Sequence, residues 1–154
     1  MSDILQTIQR MLNKKSLDIV GSFNPDRSDN VCSKVRTILL VGLKEPFFWD
    51  LFKKSSEYRD NKENPLDRWS KKTIDEIAIK SNSRSFFPFE APFQPFIDWA
   101  KKCSTMGSSP VRLLVHTEKG LFISFRGALG INEYIESPNK SKDICIPCEK
   151  PCLT

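Results

Sequence analysis

Three cysteines stand close together in the stretch CIPCEKPCLT. Cys145 and Cys148 are separated by two residues, and Cys152 follows after three more. The thiolates that bind an iron–sulfur cluster must converge on one small core, and short spacings of this kind allow that. Proline beside a ligand keeps such a loop from forming a helix. The spacing therefore predicts that Cys145, Cys148 and Cys152 bind a [4Fe–4S] cluster.

The same residues leave two other interpretations open. Cys145 and Cys148 form half of a zinc-binding set, which Cys152 and His116 would complete. The second interpretation is a thiol tail that binds no metal. Bacterial cluster motifs also close with a further Cys-Pro. The printed sequence has no such Cys-Pro, so we expect that the motif is cut short.

Composition limits the class of protein. The 154 residues carry a net charge of +5, and 39% of them are hydrophobic. Apolar runs fall short of the roughly 18 residues that a membrane helix needs, and the first 15 residues lack the apolar region of a secretory signal. We therefore predict a soluble, cytoplasmic protein, in which clustered cysteines favour metal or redox chemistry over disulfides. Cys32 and Cys103 are expected to be small buried residues, unless the fold brings one close as a fourth ligand.

The pattern of apolar residues predicts an α+β fold, a mixed α/β sandwich with a central sheet flanked by helices. Helices are expected over residues 1–15, 46–58, 65–80 and 92–104. Strands are expected over 16–23, 35–43 and 83–89, the second buried on both faces and the third at an edge. Two further apolar runs, 111–117 and 120–129, predict a hairpin. Residues 1–136 would form this domain, and residues 137–154 a linker and the cysteine segment.

An aromatic stretch, SFFPFEAPFQPFIDW, is rigid because three prolines interrupt it. Phe89, Phe93 and Trp99 are its candidates for lining a pocket for a flat cofactor, such as a corrin ring or a flavin. The alternative is that the aromatic rings fill the core, which is their commoner role.

Arg126 lies at the end of an apolar run, next to a glycine. Its guanidinium could bind an anionic group of a cofactor, because its fork matches carboxylate and phosphate. The alternative is a structural ion pair with Asp67 or Glu133. The glycines spell no dinucleotide or phosphate-binding motif. A single histidine, His116, without a partnered nucleophile gives no support to a hydrolytic triad.

Several motifs in one order resemble a family of small bacterial ferredoxin-like proteins. The matching stretches, from about Lys34 onward, are VGLKEPFFWDLFKK, NPLDRW, FFPFEAPFQPFIDWA, SPVRLLVHTEKGLFISFRGAL and CIPCEKPCL. The family pattern has a PF…PF…WA segment, a hairpin ending in aromatic-Arg-Gly-Ala-Leu, and a ferredoxin-type cysteine segment. The resemblance implies that Cys145, Cys148 and Cys152 are the cluster ligands.

The same resemblance implies electron transfer, through the cluster, to a redox partner protein or a bound small molecule. More distantly, the arrangement is similar to the corrinoid-binding part of epoxyqueuosine reductase and to B12-processing chaperones, which share a nitroreductase-like fold. That likeness implies an alternative function, a corrinoid- or flavin-binding reductase or chaperone whose cluster reduces the cofactor. It also implies a possible tRNA substrate, which the charge of +5 alone does not predict.

Overall fold

The computed structural model describes residues 2–138 and Ile144, and within them the chain has the α+β fold expected from the sequence. The helices are α1 (Asp3–Asn13), α2 (Phe48–Phe52), α3 (Ser56–Arg59), α4 (Pro65–Lys80) and α5 (Phe96–Lys102). The strands are β1 (Leu17–Phe23), β2 (Thr37–Leu43), β3 (Arg84–Phe86), β4 (Met106–Ser108), β5 (Leu114–His116) and β6 (Phe125–Ile131). A short 3-10 helix covers Arg27–Asp29.

The strands form two antiparallel sheets. The central sheet has the order β1-β2-β6-β3, and β4 pairs with β5 in a separate two-stranded sheet, called here the small sheet. The run TILLVGL of β2 lies in the middle of the central sheet and is buried on both faces, as its composition predicts. β3 lies at one edge, also as predicted, and β1 forms the other edge.

Alternate residues of β2 divide the core into two halves. Leu39 and Val41 pack in a cluster with α1, α2 and α4, whereas Ile38 and Leu40 pack in a second cluster with α5 and the small sheet. Successive side chains of a strand point to opposite faces, so the central sheet is sandwiched between these two layers. The layer formed by α1, α2 and α4, called here the helix layer, therefore lies on one side of the central sheet, and α5 and the small sheet lie on the other.

The predicted hairpin between residues 111–117 and 120–129 is wrong. β5 pairs with β4, which the sequence did not predict, and β6 pairs with β2 on one side and β3 on the other. β6 is apolar and almost completely buried, so it lies inside the central sheet, between two strands. Its neighbours in the sheet are distant in sequence, and proximity along the chain misled the prediction.

Two helix predictions need shorter bounds. The expected helix over 46–58 is two helices, because the Ser55 side chain accepts a hydrogen bond from the Tyr58 amide and starts a new helix there. The helix over 92–104 begins only after Pro95. Within residues 2–138, each helix is too short or too polar to cross a membrane.

Candidate functional site

The cysteines of the predicted cluster motif, Cys145, Cys148 and Cys152, lie outside the described residues. The residue before them, Ile144, is described and contacts the small sheet. A Cβ atom placed on Gly107 of β4 would lie 3.1 Å from Ile144 Cδ1 and 4.0 Å from Ile144 Cβ. Ile144, the residue directly before the cysteine segment (residues 145–154), therefore lies against the small sheet.

The small sheet is attached to the central sheet through a bulge in β1. Ile19 pairs with Val41 and Gly21 with Leu40, so Val20 is an extra residue in β1. Its carbonyl accepts two hydrogen bonds from outside the central sheet, from Thr105 Oγ1 at 2.9 Å and from His116 Nε2 at 2.9 Å. The bulge thus gives the small sheet a backbone acceptor at the edge of β1.

Both ring nitrogens of His116 make hydrogen bonds, Nε2 to β1 and Nδ1 within the turn that follows β5. Nδ1 accepts hydrogen bonds from the amides of Glu118 and Lys119, at 3.1 and 3.2 Å. Because Nδ1 is an acceptor, the ring proton is on Nε2, which donates to the carbonyl of Val20. His116 is 5% exposed and would have to break these bonds to bind zinc. The geometry therefore does not favour His116 as the fourth ligand of a zinc site.

The two cysteines within the described residues differ in their environments. Cys103 is fully buried, its Sγ lies 3.4 Å from the carbonyl of Trp99, and desolvation raises the pKa of its thiol to about 12. A thiol with so high a pKa is a poor metal ligand and a poor nucleophile. Cys32 is exposed, on the loop between β1 and β2. Cys103 is the small buried residue that the sequence predicts, and Cys32 is not.

No group of three or more His, Cys, Asp and Glu side chains within residues 2–138 and Ile144 is arranged to bind a metal ion. A metal site built on these residues alone is therefore not supported.

Arg126 forms the structural ion pair that the sequence left as one alternative. It is 8% exposed, its guanidinium pairs with the carboxylate of Asp67 in the first turn of α4, and its Nε donates to Ser70 Oγ at 3.0 Å. The register of β6 explains why the Arg126 side chain extends towards α4. Val41 pairs with Gly127 and Gly42 with Phe125, so Arg126 is the extra residue of a second bulge. The guanidinium is consequently satisfied within the fold.

The structure does not bring the predicted aromatic wall together. Phe89 packs in the helix-layer cluster, 5.7 Å from the guanidinium of Arg126. Trp99 is fully buried in the other cluster, against Phe23 and Phe86, on the far side of the central sheet. Phe93 is 72% exposed. Two of the three rings therefore fill the core, and they do so on opposite faces.

A cavity of about 110 Å³ adjoins the aromatic stretch. Its lining includes Phe86, Phe87, Glu90 and Pro92. Pockets for small molecules have volumes of roughly 300–1,000 Å³, so this one is too small to enclose a corrin ring or a flavin. Binding of a corrinoid or a flavin stays a prediction from the resemblance, and the geometry gives it no further support.

A second cavity, of about 250 Å³, lies between β1 and the small sheet. Its lining includes Asp18, Thr105, His116, Lys119 and Pro138. Lys119 Nζ pairs with Asp18 at 3.3 Å across it, so its opposite charges compensate each other. This cavity adjoins the point at which the described chain passes into residues 139–143.

Sequence reasoning missed Thr105 and Gly107, the residues that connect the small sheet to β1 and to Ile144. The stretch STMGSS carries little β-propensity, because glycine and serine are poor strand formers. The one available signal was an isolated glycine between apolar runs, which often marks a close backbone approach.

No protein-family model matches the sequence, and no curated protein matches it. The resemblance to ferredoxin-like proteins therefore stays a prediction.

Proposed function

We propose that this protein transfers single electrons through a [4Fe–4S] cluster bound by Cys145, Cys148 and Cys152. The observation that carries the proposal is the spacing of the three cysteines, which lets their thiolates converge on one small core. The contact of Ile144 with Gly107 adds that the residue before the motif is connected to the folded domain. The spacing of the three thiols suits a cluster better than the zinc alternative, which would need His116 to give up three hydrogen bonds.

A cluster bound there would supply one-electron redox chemistry. The chain's own contribution is to hold the ligands, to limit water around them and to set the charge nearby, which together tune the potential. Three thiols leave one position for a ligand from outside the segment. Of the two described cysteines, Cys32 has the exposed thiol, and it fills this position only if the cysteine segment reaches it.

The proposed partner is a redox protein or a small molecule in the cytoplasm. The net charge of +5 favours an acidic partner surface, because opposite charges speed association at low salt. A bound corrinoid or flavin, reduced by the cluster, and a tRNA substrate are proposals that depend on the distant resemblance alone.

Iron and acid-labile sulfide, measured on anaerobically reconstituted protein, test the proposal. We expect near-stoichiometric iron and sulfide in the wild type and a clear loss of both in Cys148→Ser. Cys103→Ala is the matched control, since its thiol is buried in the core, and it should keep the iron content. Cys32→Ser tests the fourth position.

Protein that takes up neither iron nor sulfide would refute the proposal. Retention of zinc in place of iron, lost in Cys148→Ser, would establish the structural alternative. A cluster that forms equally well in Cys148→Ser would show that the ligands lie elsewhere.

A further inference from the structure

The small sheet has an outer face, turned away from the domain, that carries apolar side chains. Gly107 pairs with Val115, and Met106 pairs with His116. Paired residues share one face of a sheet, and Met106 and His116 are buried towards the central sheet. Gly107 and Val115 therefore belong to the outer face. Leu113 joins them, because its carbonyl accepts a 2.8 Å hydrogen bond from the Ser109 amide and continues the pairing.

Ile144 already lies on this face. The space that a side chain at Gly107 would fill is taken by Ile144, whose Cδ1 and Cγ1 atoms come within 3.1 and 3.5 Å of it. Gly107 does not have a positive φ, so the local backbone does not demand a glycine there. A Cβ atom at Gly107 would need Ile144 to move by only a few tenths of an ångström, so the two residues are in close contact.

Apolar surface remains exposed beside this contact. Leu113 is 50% exposed and Val111 42%. Leu113 is two residues from Val115, or about 7 Å along a strand, and residues 145–154 can reach about 33 Å when extended. Ile146 and Leu153 are the aliphatic side chains of that segment. They are within reach of the exposed surface on either side of the Ile144 contact.

We propose that the outer face of the small sheet, formed by Gly107, Leu113 and Val115, is the docking surface for the cysteine segment, residues 145–154. Docking continues the Ile144 contact and covers the exposed leucine with the segment's own aliphatic side chains. Its role, to hold the thiols close to the folded domain, rests on the proposed function. The docking itself needs no metal and can be tested without one.

Thiol labelling of the reduced, metal-free, full chain is the experiment. The extent of reaction of each cysteine with a charged alkylating reagent is followed by mass spectrometry, and exposed Cys32 is the internal reference. We expect Cys145, Cys148 and Cys152 to react more slowly than Cys32 in the wild type. Leu113→Asp should raise their rates by about tenfold, because a buried aliphatic contact is worth at least that factor.

Ile79→Asp is the matched control. Ile79 is a comparably large aliphatic residue, 80% exposed, on α4 and therefore in the layer on the opposite side of the central sheet. It introduces the same charge without touching the proposed surface, so the thiol rates should stay as in the wild type. Because Leu113 and Ile79 are both exposed, both variants should fold, which circular dichroism checks.

Thiols of the cysteine segment that react as fast as Cys32 in the wild type would overturn the inference. Thiol reaction rates that stay the same in Leu113→Asp would also overturn it. Thiol protection that disappears on dilution would do so too, because a second copy of the chain would then cover the face. Iron and sulfide, measured on the same variants, separate the two proposals. Protection without iron uptake refutes the electron-transfer function and leaves the docking in place, whereas iron uptake without protection refutes the docking alone.

Discussion

The shared acceptor at Val20 gives a prediction that depends on two side chains at once. Thr105 and His116 donate to the same buried carbonyl, both at 2.9 Å. Removing either donor leaves the carbonyl with one partner, whereas removing both leaves it without either. The free energies of unfolding of Thr105→Val, His116→Phe and the double variant should therefore not be additive.

The magnitudes follow from the number of bonds lost. Each single variant loses one bond to the carbonyl, which is worth about 1 kcal/mol. His116→Phe also releases the amides of Glu118 and Lys119, but this turn is partly exposed and water can replace the ring nitrogen. The double variant adds the cost of an unsatisfied buried carbonyl, about 1–3 kcal/mol. The double variant should thus be less stable than the sum of the singles predicts, by about 1–3 kcal/mol.

Urea unfolding of the wild type, the two single variants and the double variant measures the free energy of global unfolding. Amide hydrogen exchange in β4 and β5 shows whether the small sheet opens locally before the rest unfolds. Ser108→Ala, at an exposed position of β4, is the control and should combine additively with His116→Phe. If the Thr105 and His116 effects add within about 0.5 kcal/mol, the two side chains do not share the acceptor and the account of the bulge is wrong.

Two further predictions concern ion pairs. Asp67→Ala should destabilise the fold by about 1–3 kcal/mol, because it leaves the buried guanidinium of Arg126 without its partner. Arg126→Met should cost less, because Asp67 is partly exposed. Thermal unfolding measures both, and the reverse order would contradict the argument. The pKa of Asp26 is lowered to about 2, first by a hydrogen bond from the Ser28 side chain and then by one from Lys102. This contributes stability above the ordinary value of 3.8 that is lost as the pH falls towards 2. NMR titration should show a larger rise in the pKa of Asp26 for Ser28→Ala than for Lys102→Met, and equal pKa values in the variants and the wild type would refute this.

The elements with a local signal were predictable from the sequence. α4 begins at Pro65 and ends at Lys80, as its apolar period and N-terminal proline indicate. The buried run of β2 was equally clear. β6 was placed in a hairpin with its neighbour because the competing partner, β2, is far away in sequence. Strand pairing is decided by burial in the assembled sheet, which a local pattern does not contain.

The candidate site was predictable to a lesser degree. The pairing of Arg126 with Asp67 was one of two alternatives, and the structure confirms it. What the sequence could not show is why the side chain turns that way, since a bulge is a property of two paired strands. The aromatic stretch misled for a similar reason: Phe89 and Trp99 are close in sequence, but the chain crosses from one side of the central sheet to the other between them. The cysteine ligands stay a prediction.

The long-range pairing of β2 has a consequence for how the chain folds. β2 can pair early with β1, its neighbour along the chain, but its other neighbour is β6, near the end of the domain. Until β6 is synthesised and in place, TILLVGL has one open edge and two apolar faces. Non-local pairing slows folding, and an uncharged apolar run of this kind pairs readily with other chains. Folding intermediates that lack β6 should therefore be the species most prone to aggregate, and truncation before residue 125 should yield insoluble protein.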